Sequence, residues 1–289
     1  MSSLGGVVTY LDTHLHCWDR RLFSYDWLDG TPFPEQFTPA DLAGQSPGSL
    51  GAVFVEADRT ADQAPAEAQW AAQLHAGGPA IAAVVAFLPI ERGDAVVADL
   101  DVLGQVDKVT GVRRLLQDEP AEFFDDPAVA AGLVAVGRAG LTFDACVRAH
   151  QLPALVRLRQ RAPETTVVLD HLGKPDIDDT WGSPSTTQWL EDLTTLAREP
   201  NTLIKLSGQG SATDPARTFD RAHPFVGAAL EVFGPDRCMV GSDWPVSRRD
   251  GEPYEAWLDF VATSFGLTEA EQALVLRTNG ATTYGIALD

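Results

Sequence analysis

Short runs of β-branched and other apolar residues recur along the chain, separated by stretches rich in Ala, Leu and Glu. The runs Val7–Thr13, Gly51–Ala57, Ile81–Leu88, Thr110–Leu116, Leu141–Cys146, Thr166–His171, Leu203–Ser207 and Cys238–Asp243 have the length and residue types of strands. Ala64–Ala76, Pro127–Ala139, Leu152–Arg161, Gln188–Arg198, Pro224–Phe233 and Tyr254–Phe265 have helical character. Repeated β–α units predict parallel strands joined by right-handed crossovers, and about eight of them predict that the sheet closes on itself. The pattern therefore reads as α/β, a single (β/α)8 TIM-like barrel, regular or distorted. Its 289 residues suit that architecture, and with no repeat or low-complexity linker residues 1–289 read as one barrel domain.

Two segments stand outside the alternation. Residues 18–49 follow the first strand and carry Trp18, Phe23, Tyr25, Trp27, Phe33 and Phe37. Residues 174–187 follow the sixth strand. Loops this long in a compact domain are commonly functional, and both start at the strand ends where barrels build their sites. They are expected to wall or cover a site.

Polar and titratable residues gather at those same ends. The first strand finishes in Asp12-Thr-His14-Leu-His16, the second offers Glu56 and Asp58, and the fourth Arg113 and Arg114. Asp144 and Arg148, Asp170 and His171, Lys205 and Ser207, and Ser242 and Asp243 end the remaining strands from the fifth to the eighth. Residues i and i+2 of a strand share a face, so His14 and His16 are expected side by side, able to hold a divalent cation or polarise a carbonyl. By the same alternation only one of Arg113 and Arg114 faces the barrel interior. Arg113 is the expected substrate clamp, a planar fork suited to carboxylate or vicinal hydroxyls, and Arg114 is expected to pair outside with Asp118 or Glu119. Lys205 reads as a buried, ion-paired residue.

Composition narrows the classes of partner. A formal net charge of -20 repels nucleic acid and anionic membranes, and no basic patch relieves it. No apolar stretch approaches the length of a membrane span, and the first residues do not read as a secretion signal. Three scattered cysteines, Cys17, Cys146 and Cys238, fit reduced thiols, so a cytoplasmic location is expected. Homodimerisation through outer helices would leave no signature and stays open.

Several motifs together resemble a known family. Asp12-Thr-His14-Leu-His16-Cys-Trp18 with Tyr25-Asp-Trp27-Leu28, Phe54-Val-Glu56-Ala-Asp58 and Gly111-Val-Arg113-Arg114 occur in that order. Leu169-Asp-His171-Leu-Gly-Lys-Pro175, Ile204-Lys-Leu-Ser-Gly208 and Gly241-Ser-Asp243-Trp-Pro245 follow. The set resembles the sugar-lactonase and 2-pyrone-4,6-dicarboxylate lactonase branch of the amidohydrolase superfamily, on the side of the L-fuconolactonase and L-rhamnonolactonase types. The resemblance implies hydrolysis of an aldonolactone to its sugar acid. It implies Asp243 as general base, with His14, His16 and His171 polarising the lactone carbonyl. The same His14, His16, His171 and Asp243 would hold one Zn2+, with Glu56 as an additional ligand; a metal-free site is equally open. Arg113 or Arg114 stands where a binuclear member has a bridging lysine, so two metals are not expected. Arg113, Tyr25, Trp27, Glu56 and Trp244 are the expected substrate contacts. A lactone isomerase, a metal-dependent decarboxylase or an amide-cleaving enzyme on the same barrel remain alternatives, as does an inactive sugar-acid binding protein.

Overall fold

The computed structural model describes residues 8–75, 77–210, 212–247 and 252–288. Eight parallel strands run in sequence order around one sheet: β1 Tyr10–Leu15, β2 Ser49–Val55, β3 Ile81–Phe87, β4 Val109–Leu115, β5 Thr142–Cys146, β6 Val167–Leu169, β7 Thr202–Leu206 and β8 Cys238–Val240. The circle closes just beyond β8, where Asp243 N donates to His14 O at 2.8 Å and His16 N to Trp244 O at 2.9 Å. Between successive strands, or after the last, lie α1 Ala64–Ala72, α2 Val96–Leu103, α3 Ala121–Asp125, α4 Pro127–Arg138, α5 Leu152–Gln160, α6 Pro184–Leu196, α7 Thr218–Phe233 and α8 Ala256–Thr263. The expected barrel is present, with an irregular first crossover.

That crossover is the aromatic segment. Its ends pair as a short antiparallel ribbon, Trp18–Asp19 with Gln36–Phe37. Trp18 is fully buried and meets Trp27, Phe33 and Phe37 with ring centroids 5.6–5.7 Å apart. The aromatics thus give a segment without an α-helix, holding only the short 3-10 turns Asp26–Leu28 and Pro39–Leu42, a small apolar core of its own, continuous with the layer between strands and helices.

The inner face of the barrel carries Val53, Val55, Ala83, Val85, Val168 and Met239, closed by Tyr284 from the C-terminal segment. Alternation explains this: residues two apart on β2 and β3 point inward while their neighbours pack on helices.

Several element boundaries differ from expectation. β1 extends to Leu15, because Asp12, Thr13 and His14 are polar yet fully inside; Val7 lies outside the described residues. α6 begins at Pro184, where the Ser183 side chain accepts from Thr186 N and proline occupies the first turn, a start signal that apolar periodicity does not register. α7 begins at Thr218 and runs through Pro224. α2, a short segment alternating apolar residues with Asp, was not expected as a helix. Among the described residues no helix is long and apolar enough to cross a membrane.

Candidate active site

At the C-terminal mouth of the barrel, β1 carries His14 into the interior and delivers His16 just past its end. Their Nε2 atoms stand 3.2 Å apart. His16 Nδ1 meets Val55 O at 2.9 Å, which leaves its Nε2 lone pair facing the cavity. His171, after β6, sets Nδ1 against Ser207 Oγ at 2.9 Å. Asp243, after β8, completes the group: its Oδ1 lies 3.5, 3.3 and 3.7 Å from Nε2 of His14, His16 and His171. Asp12 braces the turn beneath, accepting from Ser242 N, Ser242 Oγ and Tyr254 OH at 2.8, 2.5 and 2.7 Å. Ser247 Oγ donates to the other Asp243 oxygen at 2.5 Å.

The donor set fits a single cation. Ligands about 2.0–2.1 Å from a tetrahedral Zn2+ stand about 3.3 Å apart; the edges among His14, His16 and Asp243 are 3.2–3.5 Å, and His171 Nε2 stands 3.7 Å from Asp243 Oδ1. Two overlapping groups have the required proximity: His14, His16 and Asp243, and His14, Asp170 and His171. Three imidazoles and one carboxylate are the ligand types of catalytic zinc.

A ring of buried charge supports these groups. Lys205, fully buried, pairs with Asp144 at 2.5 Å and Asp170 at 3.3 Å and approaches His14 Nδ1 at 3.2 Å. Asp170 Oδ1 stands 3.3 Å from the same His14 nitrogen. Burial lowers His171 to about 4, against an opposing pull from Asp243. Burial and the Lys205 charge hold His14 well below its usual value. Both rings are therefore neutral near pH 7, the state in which imidazole binds metal. For Asp243 burial alone would raise the pKa, but His171, His16 and His14 outweigh it and keep the carboxylate ionised.

The mouth opens into a cavity of about 400 Å³ whose wall includes His16, His171 and Asp243. Of the expected substrate contacts, Arg113 and Trp27 line it. Arg113 points inward, its Nε on Glu56 at 2.8 Å, while Arg114 points outward to Glu91 and Glu119. Asp118 is taken by Arg148 instead. Three expected contacts do not line this cavity. Glu56 lies fully buried behind the wall, clamped by Arg113 and by Arg59 at 2.7 Å, so neither substrate nor a cation meets its carboxylate. Burial would raise its pKa, but Arg113 and Arg59 hold it at about 2. Tyr25 spends its hydroxyl on Glu67 at 3.0 Å. Trp244 bridges to Leu15 in the closing ladder and packs on Tyr254. All three are supports of the wall.

The cavity also recruits residues that the sequence did not single out as contacts: Asp58, Gln117, Lys174, Gln209 and Ser247. Lys174 Nζ donates to Gln117 Oε1. Asp58, Gln117 and Lys174 sit at strand ends or in the motifs that carry the family resemblance, Gln117 within Gly111–Pro120, so a signal existed; Gln209 carried none. Asp58, His171, Lys174 and Asp243 all hold positive φ, a strained state for such residues that concentrates at functional sites. Cys17, Cys146 and Cys238 are buried and free.

A family model described as amidohydrolase matches residues 11–286. An L-fucono-1,5-lactonase of Burkholderia multivorans is 31% identical over 255 residues, 82% of each chain. An L-fucono-1,5-lactonase of Burkholderia ambifaria is 37% identical over 181 residues, covering 62% of this chain and 61% of that relative's length. A crystal structure of an amidohydrolase from Burkholderia multivorans with bound zinc superposes with a TM-score of 0.83 at 26% identity, over 97% of this chain and 100% of that one.

Proposed function

The chain belongs to the amidohydrolase family, and on that premise we propose that it hydrolyses a sugar aldonolactone to the corresponding sugar acid. The observation that carries this reading is the convergence of three imidazoles on one carboxylate at the mouth of a cavity, in a chain similar to L-fucono-1,5-lactonases. The chain acts in this reading as one barrel domain, each strand end adding to a single site.

Opening a lactone needs an attacking water, a stabilised oxyanion and a proton for the departing alkoxide. Asp243 takes the water proton and returns it to the alkoxide. Its low pKa makes it a weak base, so most of the barrier must fall through polarisation of the carbonyl. A divalent ion, Zn2+ by its donor types, held by His14, His16, His171 and Asp243 would supply that Lewis acidity. Arg113, pinned by Glu56, presents fixed positive charge to the ring substituents or the oxyanion. Lys174 and Gln209 face the same cavity and hydrogen-bond the sugar hydroxyls. Trp27, whose Nε1 is tied to Ala57 O at 2.7 Å, offers its ring as a wall for the lactone's apolar face.

The test is acid release from a panel of five- and six-membered aldonolactones, followed with a pH indicator. Hydrolysis of one or more is expected, with Asp243→Asn reducing kcat by about 10²–10⁴-fold. Undiminished turnover in that variant would remove Asp243 from the mechanism. Zinc measured by elemental analysis, with activity before and after chelation, tests the cation.

A further inference from the structure

We propose that Gln209 and Trp189 are positioning residues that hold one strained turn, His171–Lys174, so that the His171 imidazole and the Lys174 ammonium enter the cavity together. The role rests on the reading of that cavity as the lactonase site.

The chain leaves β6 through an uncommon backbone. His171, Leu172, Gly173 and Lys174 have φ of +57°, +57°, +70° and +51°, four left-handed residues in succession, one of them glycine. Other L-residues visit that region singly and at a cost, because Cβ crowds the following carbonyl oxygen. Lys174 N donates to His171 O at 2.8 Å and closes the turn. Residues three apart in a helical turn share a face, and His171 and Lys174 both line the cavity. A relaxed backbone over these four residues would separate the two side chains. Such a conformation persists where surrounding groups over-determine it.

Two side-chain N–H donors from different elements do this. Gln209, just beyond β7, donates from Nε2 to His171 O at 2.9 Å and to Ser207 O at 3.1 Å. Both partners are carbonyls, so the amide nitrogen and not its oxygen must face them. Trp189 on α6 donates from Nε1 to the next carbonyl of the turn, Leu172 O, at 2.9 Å. Its indole is buried and packs on Phe225 with ring centroids 5.2 Å apart, and it is not part of the cavity wall. Successive carbonyls of the strained turn are thus fixed from β7 and from α6. Ser207 Oγ then meets the His171 ring at Nδ1, 2.9 Å away, while Nε2 stands 3.7 Å from Asp243 Oδ1. Losing either donor leaves a buried carbonyl one partner short and frees the turn to relax.

The experiment reads the ring directly, by NMR of full-length protein with isotope-labelled histidine nitrogens. Metal-free wild type, Gln209→Met, Trp189→Phe and Lys174→Met are compared, with His171→Asn assigning the resonances and circular dichroism following the fold. Wild-type His171 is expected as a single species protonated at Nδ1, the donor to Ser207 Oγ. Gln209→Met and Trp189→Phe are expected to shift or broaden its signals, and Lys174→Met to leave them in place. In the lactone assay both clamp variants should lower kcat, by up to about 10²-fold, and raise KM as well, because the turn carries both groups. Lys174→Met should act chiefly on KM. Trp189→Phe separates this role from direct contact with substrate, since the indole lies outside the cavity wall. Wild-type His171 signals in either folded variant would overturn the role of that residue. Loss of the fold in both would overturn the proposal and assign the two donors to stability. The ring signals need neither lactone nor metal, so a chain inactive on every lactone would end the lactonase reading and leave the spectra to decide this one.

Discussion

Gly208 sets where His171 stands. A Cβ built on it would lie 2.1 Å from His171 Nδ1, and its φ of +65° is one that side chains adopt only under strain. Gly241 does the same for His14, where an added Cβ would come within 2.7 Å of the His14 Cβ. The His171 ring and the His14 Cβ thus abut backbone that carries no side chain, and that close approach helps to place both residues. Gly208→Ala is expected to push His171 off Ser207 and away from Asp243. A displacement of about 1 Å at reacting groups costs about 10²-fold, so kcat should fall by that order while KM moves little. Unfolding in urea should show a loss of about 1 kcal/mol or more from the positive φ. A variant with normal kcat would mean that the ring tolerates repositioning.

The first crossover is anchored through α1. Glu67, buried on that helix, accepts from Tyr25 OH at 3.0 Å and from Ala57 N at 3.3 Å, linking the aromatic segment to the end of β2. Burial pushes its carboxyl up to about 8, with the Glu56 charge adding and Arg59 opposing. A raised folded-state pKa means that the folded chain holds a proton the unfolded chain has released. The stabilisation from Glu67 is therefore complete below its ordinary value near 4.5 and is lost as pH rises toward about 8. Glu67→Gln mimics the protonated form. It should fold normally and flatten the decline in stability between pH 5 and 8, read by urea unfolding at both ends. Parallel declines in variant and wild type would place the titration elsewhere. Since Tyr25 belongs to this anchor, the segment 18–49 reaches the cavity chiefly through Trp27.

A net charge of -20 spread over the chain repels itself in the folded state. Raising salt shortens the screening length from about 10 Å at 0.1 M to about 3 Å at 1 M, which should relieve repulsion between surface acids and leave the buried pairs intact. The melting temperature is expected to rise with NaCl over that range; a flat or falling curve would mean that surface ion pairs such as Arg157–Asp125 and Arg148–Asp118 already balance the field. Within this negative molecule the cavity keeps two cations, Arg113 and Lys174. Glu56 neutralises the first, whereas Lys174 is met by the neutral amide of Gln117.

The alternation of apolar runs was enough to read the barrel, the order of its strands and the gathering of His14, His16, His171 and Asp243 at one end, because parallel strands must present their C-terminal ends together. It also gave the opposite facing of Arg113 and Arg114, a consequence of the two-residue repeat. It read Lys205 as buried and ion-paired but could not name the partners, since a buried charge is tolerable only beside an opposite charge that can be distant in sequence: Lys205 pairs with Asp144, 61 residues away. For the same reason Tyr25, Glu56 and Trp244, read as contacts, lie outside the cavity lining and are engaged with neighbouring elements. An ionisable or aromatic side chain near a strand end turns toward the cavity or away from it according to what neighbouring strands and crossovers offer, and that choice is made only when the barrel closes.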